Sequence, residues 1–408
     1  MTDPLTPQEE PEAADPLLLE LAPYDVAHGG YCVARSDGRV VFVAGTAPGE
    51  LVRAQVTARR SRQWYASTVE VERASADRIA PVWPLAARTG VGGADLGHIG
   101  LAAGRAWKAA VVAAQLRRIA HLEWPVTVTS APDDDQRAGL AWRTRLAVVA
   151  DADGRLAMYA ARSHRLVAID GFPLAVEAIQ DRLSRDLTRS WPPGLRRRYV
   201  WTAGSGLLTV DQVPGGPAPR SRLVDEDVVS ASGHWRYQVG VDGFWQVHRQ
   251  APVVLVEAVL AAVGRRTGPI YDLYAGAGLF SLPLAERGPV ISVEQSPSAV
   301  TALRANTAGL AVTVRPGDVT AVLAGLPSTT GGVIVADPPR SGAGQAAIDQ
   351  MVRLRPDKLV YVACDPAALA RDTGWLAAQG YGLVGLEAFD LFPYTHHVEC
   401  LALFEPSA

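Results

Sequence analysis

Cysteine is scarce in this chain of 408 residues. Only Cys32, Cys364 and Cys400 occur, and they show neither paired nor metal-ligand spacing. That excludes a disulfide framework and a zinc-ribbon array, gives no metal site, and fits a reducing, cytoplasmic setting. Lysine is scarcer still, with Lys108 and Lys358 alone, so nearly all positive charge is arginine. The net charge of -3 means that no global basicity marks a nucleic-acid partner, and any such surface has to be local. No apolar run approaches the roughly 18 residues needed to span a bilayer, so no membrane association is expected. Residues 1–16 lack the basic start of a signal peptide. They carry Asp3, Glu9, Glu10, Glu12 and Asp15 among prolines, the composition of a disordered acidic tail.

What is present divides into three parts, and 48% apolar content supports real cores in each. Residues 17–81 read as short strands between turns: Leu18–Leu21, Tyr31–Ala34, Val40–Val43, Leu51–Thr57 and Tyr65–Val71. Such a series predicts a small OB-like β-barrel. Within it, Arg53, Arg59, Arg60 and Arg62 stand beside Trp64 and Tyr65 with no acid between Arg53 and Val69. Arginine with aromatics on such a barrel is the composition of a single-strand nucleic-acid surface, with a solvated hairpin tip as the alternative. Residues 82–240 predict a central α+β domain, with helices over Ala102–Ala120 and Leu174–Trp191 and strands over Arg143–Ala150 and Leu156–Ala161. A second basic group, Arg185, Arg189, Arg196, Arg197 and Arg198, is either a further binding surface or a solvated helix face.

From 241 to 408 strand and helix patterns alternate, which implies a doubly wound parallel sheet. The strand carrying Asp272 runs into Tyr274-Ala-Gly276-Ala-Gly278, where glycine allows close approach of a ligand to the backbone. The next strand ends in Glu294, an acid placed to hold ribose hydroxyls, and a third leads to Gly317-Asp318. The dinucleotide fingerprint lacks its third glycine, since position 281 is Ser. This series resembles class I (Rossmann-like) S-adenosylmethionine methyltransferases; a nicotinamide-binding fold is the competing reading of this half.

The run Leu359-Val-Tyr-Val-Ala stops at Cys364, after which Asp365 can cap a helix opened by Pro366. The thiol therefore sits where open α/β sheets bind ligands, just ahead of a helix N-terminus that would favour a thiolate. A buried structural cysteine is the ordinary alternative.

Several motifs carry a wider resemblance. His28-Gly-Gly-Tyr-Cys-Val-Ala-Arg35, Asp37-Gly38, Pro48-Gly49-Glu50 and Asp77-Arg78 look like the TRAM domain, an RNA-binding barrel. Phe244-Trp-Gln246, Asp337-Pro-Pro-Arg-Ser-Gly342, Ala363-Cys-Asp-Pro-Ala-Ala-Leu-Ala-Arg-Asp372 and Asp390-Leu-Phe-Pro-Tyr-Thr-His-His-Val-Glu399 follow in order. Together they resemble the RNA uracil-C5 methyltransferase family, over nearly the whole chain. The resemblance implies methylation of a uridine in 23S rRNA or tRNA from S-adenosylmethionine, by a monomer needing no protein partner. It implies Cys364 as the nucleophile toward uracil C6, and Glu399 as the base that removes the C5 proton. Gln246, Tyr274, Gly276, Gly278, Glu294, Asp318 and Asp337 would contact the cofactor. Asp337, Arg340, Arg59, Arg60 and Trp64 would contact RNA. A retired RNA-binding or ribosome-assembly protein, or an enzyme acting on another base, are the competing functions.

The chain also departs from the family. Many relatives hold an iron–sulfur cluster on a Cys-x5-Cys-Gly-Gly-Cys segment and a later Cys-Pro. Here those four positions are Leu85, Val91, Ala94 and Phe172. Ala275 and His248 stand where the family often has Cys and Asn. The expected outcome of anaerobic purification is a colourless protein without stoichiometric iron; a visible charge-transfer band with bound iron would contradict this.

Overall fold

The computed structural model describes residues 17–161, 163–216, 222–264, 268–328 and 331–407; the acidic segment 1–16 lies outside the described residues. Two compact units are present, with the division between Ala80 and Pro81. Residues on both sides of position 240 belong to the second unit.

The first unit is a curled six-stranded sheet of β1 (Leu18–Leu21), β2 (Asp25–Ala27), β3 (Tyr31–Ser36), β4 (Arg39–Ala44), β5 (Leu51–Arg59) and β6 (Gln63–Arg73). Their spatial order is β1-β5-β6-β4-β3-β2. Period-two alternation drives Ala34, Val41, Val43, Val52, Ala54 and Ala66 into one apolar cluster. Sequence reasoning missed β2, which has no alternation of its own and forms by pairing Val26 with Cys32. Under the sheet, fully buried Glu50 accepts from Thr46 Oγ1 (2.9 Å), the Ala47 N–H (2.9 Å) and Arg78 Nε (2.6 Å).

The first strands of the second unit are β7 (Val128–Ser130), β8 (Arg145–Ala150), β9 (Leu156–Tyr159), β10 (Leu166–Ala168), β11 (Arg196–Thr202) and β12 (Gly206–Gln212). Strands β8 to β12 form one antiparallel sheet in the order β10-β9-β8-β11-β12, and β13 (Leu223–Val229) with β14 (His234–Gly240) forms a hairpin. The helix expected over 102–120 is α-helical at Leu101–Gln115 and widens to a π turn at Leu116–Ala120. The one expected over 174–191 spans only Glu177–Leu187. Its missing start is held as extended chain, where the Val176 N–H donates to Arg143 O (2.9 Å).

Part of the second basic group proves internal. Arg197 is buried between Asp186 and Asp211, each 2.6 Å away, and lies on the Trp191 ring; Arg198 pairs with Asp242. Arg197 is thereby not free to meet a polyanion, whereas the Arg198 pair lies at the surface.

The largest sheet contains β15 (Ile270–Leu273), β16 (Val290–Glu294), β17 (Val312–Pro316), β18 (Val333–Ala336), β19 (Lys358–Ala363), β20 (Tyr381–Asp390) and β21 (Glu399–Pro406). Its order is β17-β16-β15-β18-β19-β21-β20-β7, with β21 antiparallel to both neighbours. Every residue of β15 and β18 is buried, as expected of parallel strands covered on both faces. Ile270, Val333, Val335, Val360 and Val362 join one apolar layer, and Leu273, Ile334, Ala336, Leu359 and Tyr361 the other. The short β7, from the segment expected to form a separate domain, pairs Val128 with Ala388 and completes this sheet. Among the described residues no helix is long and apolar enough to cross a membrane.

The Glu50 cluster makes the first unit acid-sensitive. Burial opposes the charge of Glu50, but the Arg78 and backbone hydrogen bonds outweigh it and lower its pKa from 4.5 to about 2. A depressed carboxylate pKa contributes stability above the unfolded value and loses it as pH falls from about 4.5 toward 2. Glu50→Gln should destabilise this unit by about 3–5 kcal/mol, because it strands Arg78. Alkylation of the buried Cys32 thiol during denaturant titration reads this out; an unchanged midpoint would contradict it.

Candidate active site

The site forms at the carboxyl ends of β15, β16, β18 and β19, where the strands stop and their last side chains are released from the sheet. On the β15–β16 side the chain turns sharply after Leu273. Tyr274, Gly276 and Gly278 all take positive φ, 61°, 56° and 97°, and a Cβ added at Gly276 would meet only open space within 4 Å. Glu294 rims this opening. Its carboxylate accepts the N–H of Gly276 (2.9 Å) and of Ser296 (2.7 Å), which fixes the turn and leaves other lone pairs for a ligand. Asp318 is exposed and caps the next helix through the Ala321 N–H (3.1 Å). Burial lifts Asp272 to about 7. Its Oδ2 accepts from Ser281 Oγ, which stands where the dinucleotide fingerprint would have glycine. Gln246 is buried on the loop after β14, and Arg145 Nη1 steadies that loop through Gly243 O (2.7 Å). Phe244 in the same loop is 74% exposed.

On the β18–β19 side three acid-bearing strand ends converge. Ala363 pairs with Cys400 in the antiparallel register, so the next rung sets Cys364 opposite Glu399. Asp337 ends the neighbouring β18, its N–H donating to Leu273 O (3.3 Å). Burial raises Glu399 well above an ordinary carboxyl, Asp337 adds to this, and Arg340 opposes it. Asp337 is itself raised to about 7 by burial. Cys364 is pushed up to about 12, first by burial and then by Glu399, with Arg340 pulling the other way.

That last result corrects one expectation. The helix Pro366–Ala378 does begin beside the thiol, but Asp365 spends its N-terminus by accepting the Ala367 (3.0 Å) and Ala368 (2.8 Å) N–H groups. The cap carries a negative charge of its own, which raises the thiol pKa further.

The loop bearing Arg340 is held by Asp372, a residue not singled out by sequence reasoning. Its Oδ2 accepts from the Ala343 N–H (2.8 Å) and Tyr361 Oη (2.5 Å), and its Oδ1 from Arg371 Nη2 (2.7 Å). Arg371 Nη2 in turn donates to Ser341 O (2.6 Å). Arg143 was also missed. Burial and the like charge of Arg340 lower its pKa, which puts a second guanidinium at the Arg340 edge of the site. His248 is fully inside, with Nε2 donating to Asp134 Oδ2 (2.9 Å), Nδ1 accepting the Gln250 N–H (3.0 Å), and Trp142 stacked on the ring. It supports the Gln246 loop from below.

The positions matching absent cluster ligands are packed. Val91, Ala94 and Phe172 are buried, and Phe172 meets Trp83 edge-on at 5.0 Å. Arg59, Arg60 and Trp64 lie on the first unit. Arg39 and Arg59 lie over the Trp64 ring at 4.9 and 5.2 Å, and Arg60 lies over Tyr65.

Residues 325–406 match the family model described as tRNA (Uracil-5-)-methyltransferase. An RNA methyltransferase of Bifidobacterium longum, described as uncharacterized, is 39% identical over 93% of this chain and 94% of its own length. The 23S rRNA (uracil(1939)-C(5))-methyltransferase RlmD of Halomonas elongata is 34% identical, covering 95% of this chain and 89% of its own. The fold is shared with the tRNA (uracil-54, C5)-methyltransferase of Pyrococcus abyssi, solved in complex with S-adenosyl-L-homocysteine. There the TM-score is 0.71 at 20% identity, over 95% of this chain and 100% of that one.

Because the Glu399 carboxylate is the leading charge that disfavours the thiolate, Glu399→Gln should lower the pH at which Cys364 becomes reactive. The rate of Cys364 alkylation against pH measures this. A midpoint that stays put or rises would mean that Glu399 does not face the thiol.

Proposed function

The chain belongs to the uracil-C5 RNA methyltransferase family, and on that premise we propose that it forms 5-methyluridine in RNA by covalent catalysis through Cys364. The carrying observation is the rung that sets Cys364 opposite Glu399, with Asp337 and Arg340 beside them. Uracil C5 is too weak a nucleophile to take a methyl group unaided. A thiolate adding to C6 forms a carbon–sulfur bond and pushes the ring electrons toward C5 and the C4 carbonyl oxygen.

The residues fit this sequence of events. Asp337, raised to about 7, keeps a carboxyl proton near neutrality. It can donate that proton's hydrogen bond to the carbonyl oxygen where charge develops. Arg340 supplies positive charge next to the thiol. Gly276, Gly278, Tyr274, Glu294, Asp318, Gln246 and Asp337 would hold S-adenosylmethionine, which would supply an electrophilic methyl group and leave as the neutral thioether. Once C5 carries the methyl it also carries its original proton. Glu399 takes that proton, the C5–H electrons restore the C5–C6 double bond, and the Cys364 thiolate leaves. A carboxyl raised by burial is a better base for that carbon acid than a solvated one. The open turn at Gly276 supports the cofactor assignment, because a side chain there would occupy the space it leaves.

The uridine must be reached outside a stack, and 23S rRNA and tRNA are the substrate classes proposed. Guanidinium groups of Arg59 and Arg60 are proposed to meet RNA phosphates. Trp64, with Arg39 and Arg59 over its ring, would hold those arginines where RNA is met. The enzyme is proposed to act as a monomer.

Two variants test the chemistry. Cys364→Ala should abolish turnover while leaving cofactor affinity intact. Steady-state activity within about tenfold of wild type, roughly 1.4 kcal/mol of barrier, would remove Cys364 from the reaction. Glu399→Gln should still allow attack and methylation but block elimination. Methyl-labelled cofactor should then give a labelled protein–RNA adduct in a denaturing gel, absent when Cys364 is also replaced. Normal turnover by Glu399→Gln would show that another group takes the proton.

A further inference from the structure

The loop between β20 and β21 delivers Glu399, and its conformation is imposed from outside. Tyr394 sits at φ 63°, a left-handed conformation that a bulky side chain adopts only when its surroundings hold it there. The holding groups come from a segment some three hundred residues earlier. Leu96 N–H donates to Tyr394 O (2.9 Å), buried Lys108 pairs with Asp390, and Lys108 Nζ donates to Phe392 O (3.0 Å). Asp95 makes the contact nearest to Glu399. Its Oδ2 accepts both the backbone N–H of His396 (3.0 Å) and that residue's ring Nδ1–H (2.5 Å). The ring must be the donor here, because burial disfavours the Asp95 charge but the His396 bond outweighs it and keeps the carboxyl ionised.

From His396 the contacts lead to the site. Its ring lies 4.1 Å from that of His397, which is also braced by Phe392. His397 Nε2 stands 3.4 Å from Arg340 Nη2. A guanidinium only donates, so His397 accepts and is neutral at this nitrogen. The groups facing Cys364 are Glu399, Asp337, Asp365 and Arg340. Those facing His397 are His396, Arg340, Asp95 and Lys108. Arg340 is therefore the cation that opposes those acids at the thiol.

We propose that Asp95 is a positioning residue: by fixing His396 it braces His397 as acceptor for Arg340, and so holds the guanidinium beside Cys364 and Glu399. Without it, Arg340 is free to turn away, and the carboxylates around the thiol act unopposed. The use of the thiol rests on the proposed function, but the placement of Arg340 can be measured without RNA.

The experiment follows iodoacetamide alkylation of Cys364 against pH in the full chain, by mass spectrometry of its peptide. Wild type is compared with Asp95→Ala, Asp95→Asn and His396→Phe, with melting temperature recorded for each. Asp95→Ala should react about three- to tenfold more slowly at mildly alkaline pH, an upward shift of up to about one unit. Asp95→Asn should restore the wild-type profile, since an amide oxygen accepts the same two bonds. His396→Phe keeps the ring against His397 but loses its bond to Asp95, and should fall between. A wild-type profile for Asp95→Ala, with or without a lowered melting temperature, would overturn the proposal. So would equal slowing by Asp95→Ala and Asp95→Asn, which would point to charge and not to positioning. Assay of 5-methyluridine formation separates the two claims. A slowed thiol in Asp95→Ala with an inactive wild type supports the positioning and overturns the proposed function; an active wild type with an undisturbed Asp95→Ala thiol overturns the positioning alone.

Discussion

The pairing of β21 against β19 is the contact on which the site depends. It runs antiparallel in an otherwise parallel neighbourhood, and it sets Cys364 at the end of one strand opposite Glu399 at the start of the other. Because successive side chains point to opposite faces, a slip of one residue would send Glu399 to the wrong side of the sheet. The register is secured by burial: Tyr361, Val362, Leu401, Ala402 and Phe404 are all enclosed in the layers above and below. The core of the sheet thus fixes how the proposed nucleophile and base are set against each other.

The same burial makes the site electrostatically costly. Glu399, Asp337 and Cys364 all lie in a region that disfavours charge, and each is raised accordingly. Burial and the neighbouring acids push the thiol pKa up, and the helix N-terminus next to it is already taken by Asp365. Arg340 is left to oppose three acids. Its loop is correspondingly well supported, by Asp372 and Arg371 on one side and by the histidines after Thr395 on the other.

Much of this was legible in the sequence, for physical reasons. The parallel strands are continuous apolar runs with an acid or a thiol at their ends, so Glu294, Asp337 and Cys364 could be placed at the rim from pattern alone, while Asp272 proves to lie inside its strand. Asp365 and Pro366 announced their helix by capping chemistry. What escaped was whatever depends on pairing across long stretches of chain. Strand β7 is three residues long and exists because Ala388, Phe389 and Asp390 offer it a partner. Arg197 looked like part of a basic surface and is instead enclosed by two aspartates. Asp95, Asp134 and Asp372 were given no role by the sequence; their roles appear only when His396, His248 and Ala343 are brought to them.

The central claim is that Cys364 bonds to uracil C6 before the methyl is transferred and is released by loss of the C5 proton. RNA carrying 5-fluorouridine at the target position tests this most directly, because fluorine cannot be abstracted as a proton. Incubated with the wild-type enzyme and S-adenosylmethionine, it should leave a stable adduct. Mass spectrometry should then find a methylated fluorouracil nucleotide on the peptide containing Cys364. An adduct on another residue, or methylation of normal RNA by an enzyme that the fluorinated RNA never traps, would contradict the account.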